Sequence, residues 1–214
     1  MYLSSLSVDT SAARGRTWLA NPYRIHQRLL MAFPDVDPKA NRVLFRLEDD
    51  RDLPRLLVQS DSRPDWDLAF RDHPVLASPP RCKEVTLALR EGQRLRFRLR
   101  ANPTWRKSHP TELDDRGKRK MGDRLGLLRE EQQRAWLERK GQVGGFRLLD
   151  YVVRSPGLVS FPRGGDGAGR QTHVLADFEG HLLVTDPVAL LATVASGVGS
   201  AKAFGFGLLS LAPA

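Results

Sequence analysis

The sharpest patterning lies at 94–100, where Arg-Leu-Arg-Phe-Arg-Leu-Arg alternates charged and apolar positions without a break. A period of two belongs to a strand, with Leu95, Phe97 and Leu99 turned to a core and Arg94, Arg96, Arg98 and Arg100 sharing the opposite face. At 22–33 the apolar positions Ile25, Leu29, Ala32 and Phe33 return at helical spacing, about 100° per residue. Asn21 is a good N-cap there, and Pro22 suits the first helical position. Strands are predicted at 2–8, 42–48, 55–59 and 85–89, with a turn signal at 49–52 and a short helix at 65–70. That series is β-α-β-β-α-β, the ferredoxin-like order. After residue 90 the order recurs: strand 94–100, helix near 125–140, strands 146–154 and 173–177 with 182–185 as continuation or partner, helix 187–196 capped by Asp186, and strand 206–211. No sequence repeat is visible; only the order of elements repeats. The fold class is therefore α+β, two tandem ferredoxin-like (RRM-like) βαββαβ domains over 1–90 and 91–214. The polar, charged segment 101–124 and the Gly- and Pro-rich segment 155–171 are expected to be mobile loops. His173 and His181 are expected to flank a turn at Glu179-Gly180.

The 214-residue chain is 41% hydrophobic, enough for packed cores, and its formal net charge is +9. Such a surplus points to a polyanion: nucleic acid first, with an anionic membrane surface as the competitor. No apolar run reaches the roughly 18 residues of a spanning helix. The N-terminus has neither a charged n-region nor an apolar h-region. The only cysteine, Cys82, leaves no intrachain disulfide and fits a cytoplasmic location. Without a nearby Cys or His cluster, it reads as buried or incidental.

Tyr23 and His26 are three residues apart and share one face near the start of the first helix, at the edge of its apolar stripe. An imidazole there is partly desolvated and can exchange a proton near neutrality. The alternative is that His26 closes the rim of the core and Tyr23 is a surface residue; spacing alone leaves both open and favours the second. His73, His109, His173 and His181 form no H-x₃-H pair and join no cysteine, so no metal site and no cofactor are expected. His73 and His109 each precede a proline and are expected in loops. Asp49-Asp50 and Asp114-Asp115 read as solvated turns.

Near the C-terminus, 197–207 places a glycine-rich loop after a helix and before the last strand. Nucleotide loops run the other way, from strand to helix, and the G-x-x-x-x-G-K-[ST] spacing is missing. Gly199, Gly205 and Gly207 can still bring main-chain N–H groups close to a phosphodiester, and Lys202 adds a point charge. The four strand arginines either oppose a phosphate backbone or pair with acids on a neighbouring strand. Residues 101–140 carry eleven Lys/Arg against seven Asp/Glu, densest at Arg116, Lys118, Arg119 and Lys120. That cluster is expected to touch RNA. The arginines of the following helix (Arg129, Arg134, Arg139) either track phosphates or form a solvated face with Glu130, Glu131 and Glu138. The RNP1 aromatic pattern is missing and aromatics are 7% of the chain. Recognition of a structured hairpin by shape and charge is therefore expected, rather than stacking of single-stranded bases on a sheet.

Asn21-Pro22-Tyr23-x-x-His26, the 92–103 run, Ala-Trp-Leu-Glu-Arg at 135–139, Gly-Gly-Phe-Arg-Leu-Leu at 144–149 and Lys202-Ala-x-Gly-x-Gly-Leu-Leu-Ser occur in an order that resembles the CRISPR-associated endoribonucleases of the CasE family. The resemblance implies two ferredoxin-like domains with RNA along a shared basic face. It implies metal-independent cleavage of CRISPR precursor RNA at the repeat hairpin, with His26 as general acid/base and Tyr23 its partner. The products would be a 5′-hydroxyl and a 2′,3′-cyclic phosphate (or 3′-phosphate). It also implies retention of the cut RNA and assembly with the other subunits of Cascade. One departure is the loop 161–170, which is strongly basic in some relatives. Here it has only Arg163 and Arg170 among glycines and an aspartate. The competing functions are a non-catalytic RNA-hairpin-binding subunit of a ribonucleoprotein and, more remotely, a basic scaffold for membranes or DNA.

Overall fold

The computed structural model describes residues 1–37, 40–48, 53–113, 117, 119–162 and 169–214, with the backbone alone for 107–113, 119–121 and 156. The first half runs β1 (Tyr2–Ser7), α1 (Ala13–Leu19), α2 (Pro22–Leu30), β2 (Leu44–Glu48), β3 (Arg55–Ser60), α3 (Trp66–Phe70) and β4 (Arg81–Glu84). The second runs β5 (Arg94–Ala101), β6 (Thr104–Leu113), β7 (Arg119–Gly126), α4 (Glu130–Val143), β8 (Phe146–Pro162), β9 (Arg170–Val184), α5 (Pro187–Ser196) and β10 (Leu209–Pro213). A 3₁₀ turn, Lys202–Phe204, precedes β10.

The two main sheets have the same winding. The first is ordered β2-β3-β1-β4 and the second β8-β9-β5-β10, with all neighbours antiparallel. This is the ferredoxin-like arrangement twice over. Each sheet buries one face under its helices. Leu6, Phe45, Leu56 and Val58 meet Ile25, Leu29, Trp66 and Phe70 in the first core. Leu95, Phe97, Leu99, Phe178 and Leu182 meet Trp136, Leu137, Leu190 and Val194 in the second.

Several expectations change. A seven-residue helix, α1, precedes the predicted one; it has no side-chain N-cap and contains Gly15, so it left little signal. A Cβ on Gly15 would collide with the Asp9 carbonyl, which is why the chain can turn so closely here. The edge strand is β4, a polar stretch, and not 85–89. Pairing with β1 selects it, while Leu87 and Leu89 pack against the second core. Cys82 lies on β4 and is exposed. Within 101–124 the described residues include strands β6 and β7 paired with each other, where a loop was expected, and His109 lies in β6. Residues 155–162 and 170–171 extend β8 and β9 into a second long hairpin. β9 passes straight through Glu179-Gly180, so no turn lies between His173 and His181. Gly180 is there because a Cβ would collide with the Asp150 carbonyl, next to a register shift in β8. The last strand begins at Leu209; Phe206 and Leu208 are buried in the turn before it. Asp49, Asp50, Asp114, Asp115, Arg116, Lys118 and Arg163 lie outside the described residues.

The two sheets are joined through a buried guanidinium. Arg46, on β2, is 2% exposed. It donates to Glu48 at 2.6 Å, to the carbonyls of Arg98 and Leu208 at 3.1 Å each, and to Ser210 Oγ at 2.9 Å. Gln59 Nε2 donates to the Val194 carbonyl at 2.8 Å, a second polar tie between the halves.

Candidate active site and nucleic-acid interface

The α2 helix begins as its sequence dictates, with Asn21 Oδ1 accepting from the Arg24 amide and Pro22 in the first turn. Ile25, Leu29, Ala32 and Phe33 are buried, as the stripe predicts. That placement sets His26 at the margin of the core. Its ring lies nearly parallel to Phe45, with centroids 6.4 Å apart. Its Nδ1 is buried without a hydrogen-bond partner. Burial holds the imidazole below its ordinary pKa, so the ring is neutral at pH 7.

The glycine-rich loop meets this helix. Tyr23 faces Phe204 of the 3₁₀ turn, ring centroids 6.1 Å apart. Gly205 has φ +82°, and a Cβ there would stand 3.1 Å from the Phe45 ring, the same ring that backs His26. Two segments some 180 residues apart in sequence thus converge on one patch. Lys202 is partly buried in the loop. Desolvation, then the nearby charges of Arg42 and Lys140, lowers its pKa; a group so placed gains from a neighbouring anion. The expectation that Gly205 and Gly207 offer their N–H groups to a phosphate gives way. Gly205 N donates to the Lys202 carbonyl at 3.2 Å and Gly207 N to the Arg100 carbonyl at 2.7 Å. Those amides hold the loop's shape.

Pattern reading did not find His173. Its ring lies on the side of Phe204 that adjoins β9, centroids 4.9 Å apart, with Phe206 and Phe161 also against it. Asn102 Oδ1 accepts from the Val174 amide at 3.0 Å, which turns the Asn102 amide nitrogen toward His173 Nδ1 at 3.3 Å. Nδ1 is therefore an acceptor and the proton sits on Nε2, which is buried and unpartnered. Desolvation lowers the His173 pKa, consistent with a neutral ring. Beside it opens a cavity of about 370 Å³ lined by Asn102, Thr104, Arg124, Thr172, His173, Ser200 and Phe204, among others. The signal in the sequence was faint: Asn102 stands in the 92–103 run, and His173 alternates with inward residues of β9.

The four arginines of β5 share a face, as their period requires, and three meet carboxylates on other strands. Arg94 pairs with Asp150 at 3.1 Å, Arg98 lies 3.8 Å from Glu48, and Arg100 grips Asp177 with two bonds of 2.9 and 3.0 Å. Arg96 bonds the Pro213 carbonyl. Arg94 and Arg96 are exposed, whereas Arg100 also holds the Leu47 carbonyl and is committed to structure. Arg134 on α4 pairs with Glu130 one turn away and lies over the Tyr151 ring, the solvated-face alternative for that residue. Arg119 and Lys120 lie in β7 by their backbone. Among the described residues no cluster of His, Cys, Asp and Glu could hold a metal ion, and no helix is long and apolar enough to cross a membrane.

Comparison with known proteins gives matches along the whole chain. A family model described as CRISPR associated protein matches residues 1–213. The chain is 38% identical over 225 residues to the CRISPR-associated endoribonuclease Cse3 of Thermus thermophilus, covering all of both chains. It is 34% identical over 218 residues to the CRISPR system Cascade subunit CasE of Escherichia coli, again over the whole of each. Its fold superposes on that of CRISPR endoribonuclease Cse3 bound to a 19 nt RNA with a TM-score of 0.80, at 37% identity and full coverage of both. With a match along its whole length in both sequence and fold, the chain belongs to the CRISPR-associated Cse3/CasE family.

Proposed function

We propose that this protein is a site-specific endoribonuclease that cuts CRISPR precursor RNA at the repeat hairpin, with His26 as general acid/base. The carrying observation is the convergence of Tyr23, His26 and the 3₁₀ turn Lys202–Phe204 on one patch. The Cse3 relative seen with a 19 nt RNA supports an RNA ligand for this chain. The CasE relative, a Cascade subunit, supports assembly of this chain, with its guide RNA, into the same kind of complex.

RNA carries its own nucleophile. A neutral His26 takes the proton of the ribose 2′-hydroxyl as that oxygen attacks the adjacent phosphorus. The P–O5′ bond breaks and the leaving O5′ takes up a proton, from the imidazolium so formed or from water, leaving a 5′-hydroxyl and a 2′,3′-cyclic phosphate (or, after hydrolysis, a 3′-phosphate); because the RNA supplies the nucleophile, the step requires no metal. Burial serves this role, because a ring held below its usual pKa is ready to accept a proton at neutrality. General acid–base help contributes about 10²–10⁴-fold. Lys202 supplies charge for the developing phosphorane, and Tyr23 positions the phosphate or the imidazole. Gly199, Gly205 and Gly207 shape the turn that presents Lys202. Exposed Arg94 and Arg96, with Arg98 beside them, and the Arg116, Lys118, Arg119, Lys120 and Arg163 cations supply phosphate contacts along the stem.

The test is His26→Ala in single-turnover cleavage of a labelled repeat hairpin in EDTA. The rate should fall by at least 100-fold while hairpin affinity stays within about threefold. Cleavage at the wild-type rate would show that another group performs the proton transfer. Loss of binding without loss of the saturated rate would assign His26 to recognition instead.

A further inference from the structure

A second groove lies on the far side of the glycine-rich loop. It encloses about 430 Å³ between the foot of the β6–β7 hairpin, the C-terminal turn of α4 and the end of α5. Trp105, Arg106, Arg139, Lys140, Ser196 and Gly199 are among its lining. Trp105 is 49% exposed, an unusual state for an indole. Lys140 lies over the ring of the buried Trp136, which forms the floor. No Asp or Glu lines the groove among the described residues. Three cations, an accessible aromatic face and two threonine hydroxyls (Thr104, Thr193) make up a surface that suits stacked bases linked by phosphates.

The groove is joined to the active-site side of the loop. Thr104 lines both this groove and the His173 cavity, and the loop contributes Gly199 to the first and Ser200 to the second. Thr104 Oγ1 and Ser200 Oγ, 3.4 Å apart, mark the saddle between them. The further cavity reaches Phe204, which faces Tyr23. A strand leaving the cleavage patch can thus cross the loop and remain on protein. We infer that the Trp105 groove binds single-stranded RNA flanking the hairpin, with one base stacked on Trp105 and phosphates on Arg106, Arg139 and Lys140. The inference rests on the proposed RNA cleavage site, since that site sets where the flank begins. It is compatible with the expectation that single-stranded bases do not stack on a sheet face, because Trp105 lies at the foot of a hairpin. An acidic protein segment is the other occupant the charges would accept, but it makes no use of an exposed indole that continues into the loop track.

The experiment measures affinity by fluorescence anisotropy for three labelled RNAs, each with a 2′-deoxy nucleotide at the cut site wherever the RNA includes it: the blunt hairpin, the hairpin with five unpaired nucleotides on its 5′ side, and the same on its 3′ side. Wild-type protein should bind one extended RNA about 5- to 150-fold tighter than the blunt hairpin, the range one base on an aromatic ring supplies; the side that gains identifies the flank. Trp105→Ala should remove most of that gain, and Arg139→Gln should reduce it and flatten its salt dependence. Both variants should keep wild-type affinity for the blunt hairpin, which also reports that they fold. Equal affinity of the wild type for all three RNAs, or an undiminished gain in Trp105→Ala, would overturn the groove assignment. The outcome is separable from the cleavage reading, because His26→Ala should leave the flank-dependent gain intact.

Discussion

Replacing Gly205 by Ala tests whether the glycine-rich loop and the His26 helix act as one unit. The residue sits at φ +82°, where an L side chain costs about 1–2 kcal/mol. The new Cβ would also stand 3.1 Å from Phe45 Cε2 and 3.5 Å from Cζ. Phe45 is 1% exposed and parallel to His26, so it can yield only toward that ring or into the core. A displacement of a few tenths of an ångström adds about 1 kcal/mol, the low end for overpacking. Gly92 is the matched control. Its φ is +76° and a Cβ there meets nothing within 4 Å, so Gly92→Ala carries the backbone cost alone. Gly92→Ala should lose about 1–2 kcal/mol in urea unfolding, and Gly205→Ala about 1 kcal/mol more. Misplacement by 1 Å costs about 100-fold in rate, so a shift of a few tenths should slow saturated single-turnover cleavage about 3- to 10-fold in Gly205→Ala. Gly92→Ala should cut at the wild-type rate. Equal stability losses together with equal rates would refute the mechanical link from the loop through Phe45 to His26.

Arg46→Ala should cost about 3–5 kcal/mol, because it leaves Glu48 and the Arg98 and Leu208 carbonyls short of a buried donor. A loss below about 1 kcal/mol in urea unfolding would mean that the guanidinium does not join the sheets. Burial lowers the pKa of His26, His73 and His173, so the unfolded chain binds protons before the folded one as pH falls through about 6.5. Their contribution to stability is present above that value and is lost on acidification toward the lower folded pKa values. The urea midpoint should therefore drop between pH 7.5 and pH 5.5, and a midpoint that rises over that interval would contradict the burial of these rings.

The fold was legible where local signals agreed with tertiary structure. Asn21-Pro22 and Asp186-Pro187 each cap the helix they predict, and the arginine strand keeps its period of two from Arg94 through Arg100. It was illegible where pairing outweighed composition. β4 is polar and is a strand because Tyr2–Ser5 lie beside it. Charge in 101–124 and glycines in 155–171 looked like loops, yet β6 pairs with β7 in the first and β8 pairs with β9 out to Pro162 and Arg170 in the second. Of the candidate site, Tyr23, His26 and the glycine-rich loop could be named from the sequence, but their meeting through Phe204 and Phe45 could not. The His173 cavity and the Trp105 groove are products of strand order, and the residues that form them lie in no shared motif.

A structure of the protein bound to a repeat hairpin carrying a single 2′-deoxy substitution at the cut site addresses the cleavage mechanism most directly. The His26 imidazole should lie within hydrogen-bonding reach of the scissile sugar–phosphate link, about 2.6–3.2 Å or through one water, with Lys202 beside the same phosphate. A ring that stays against Phe45 with the RNA backbone passing elsewhere would contradict it.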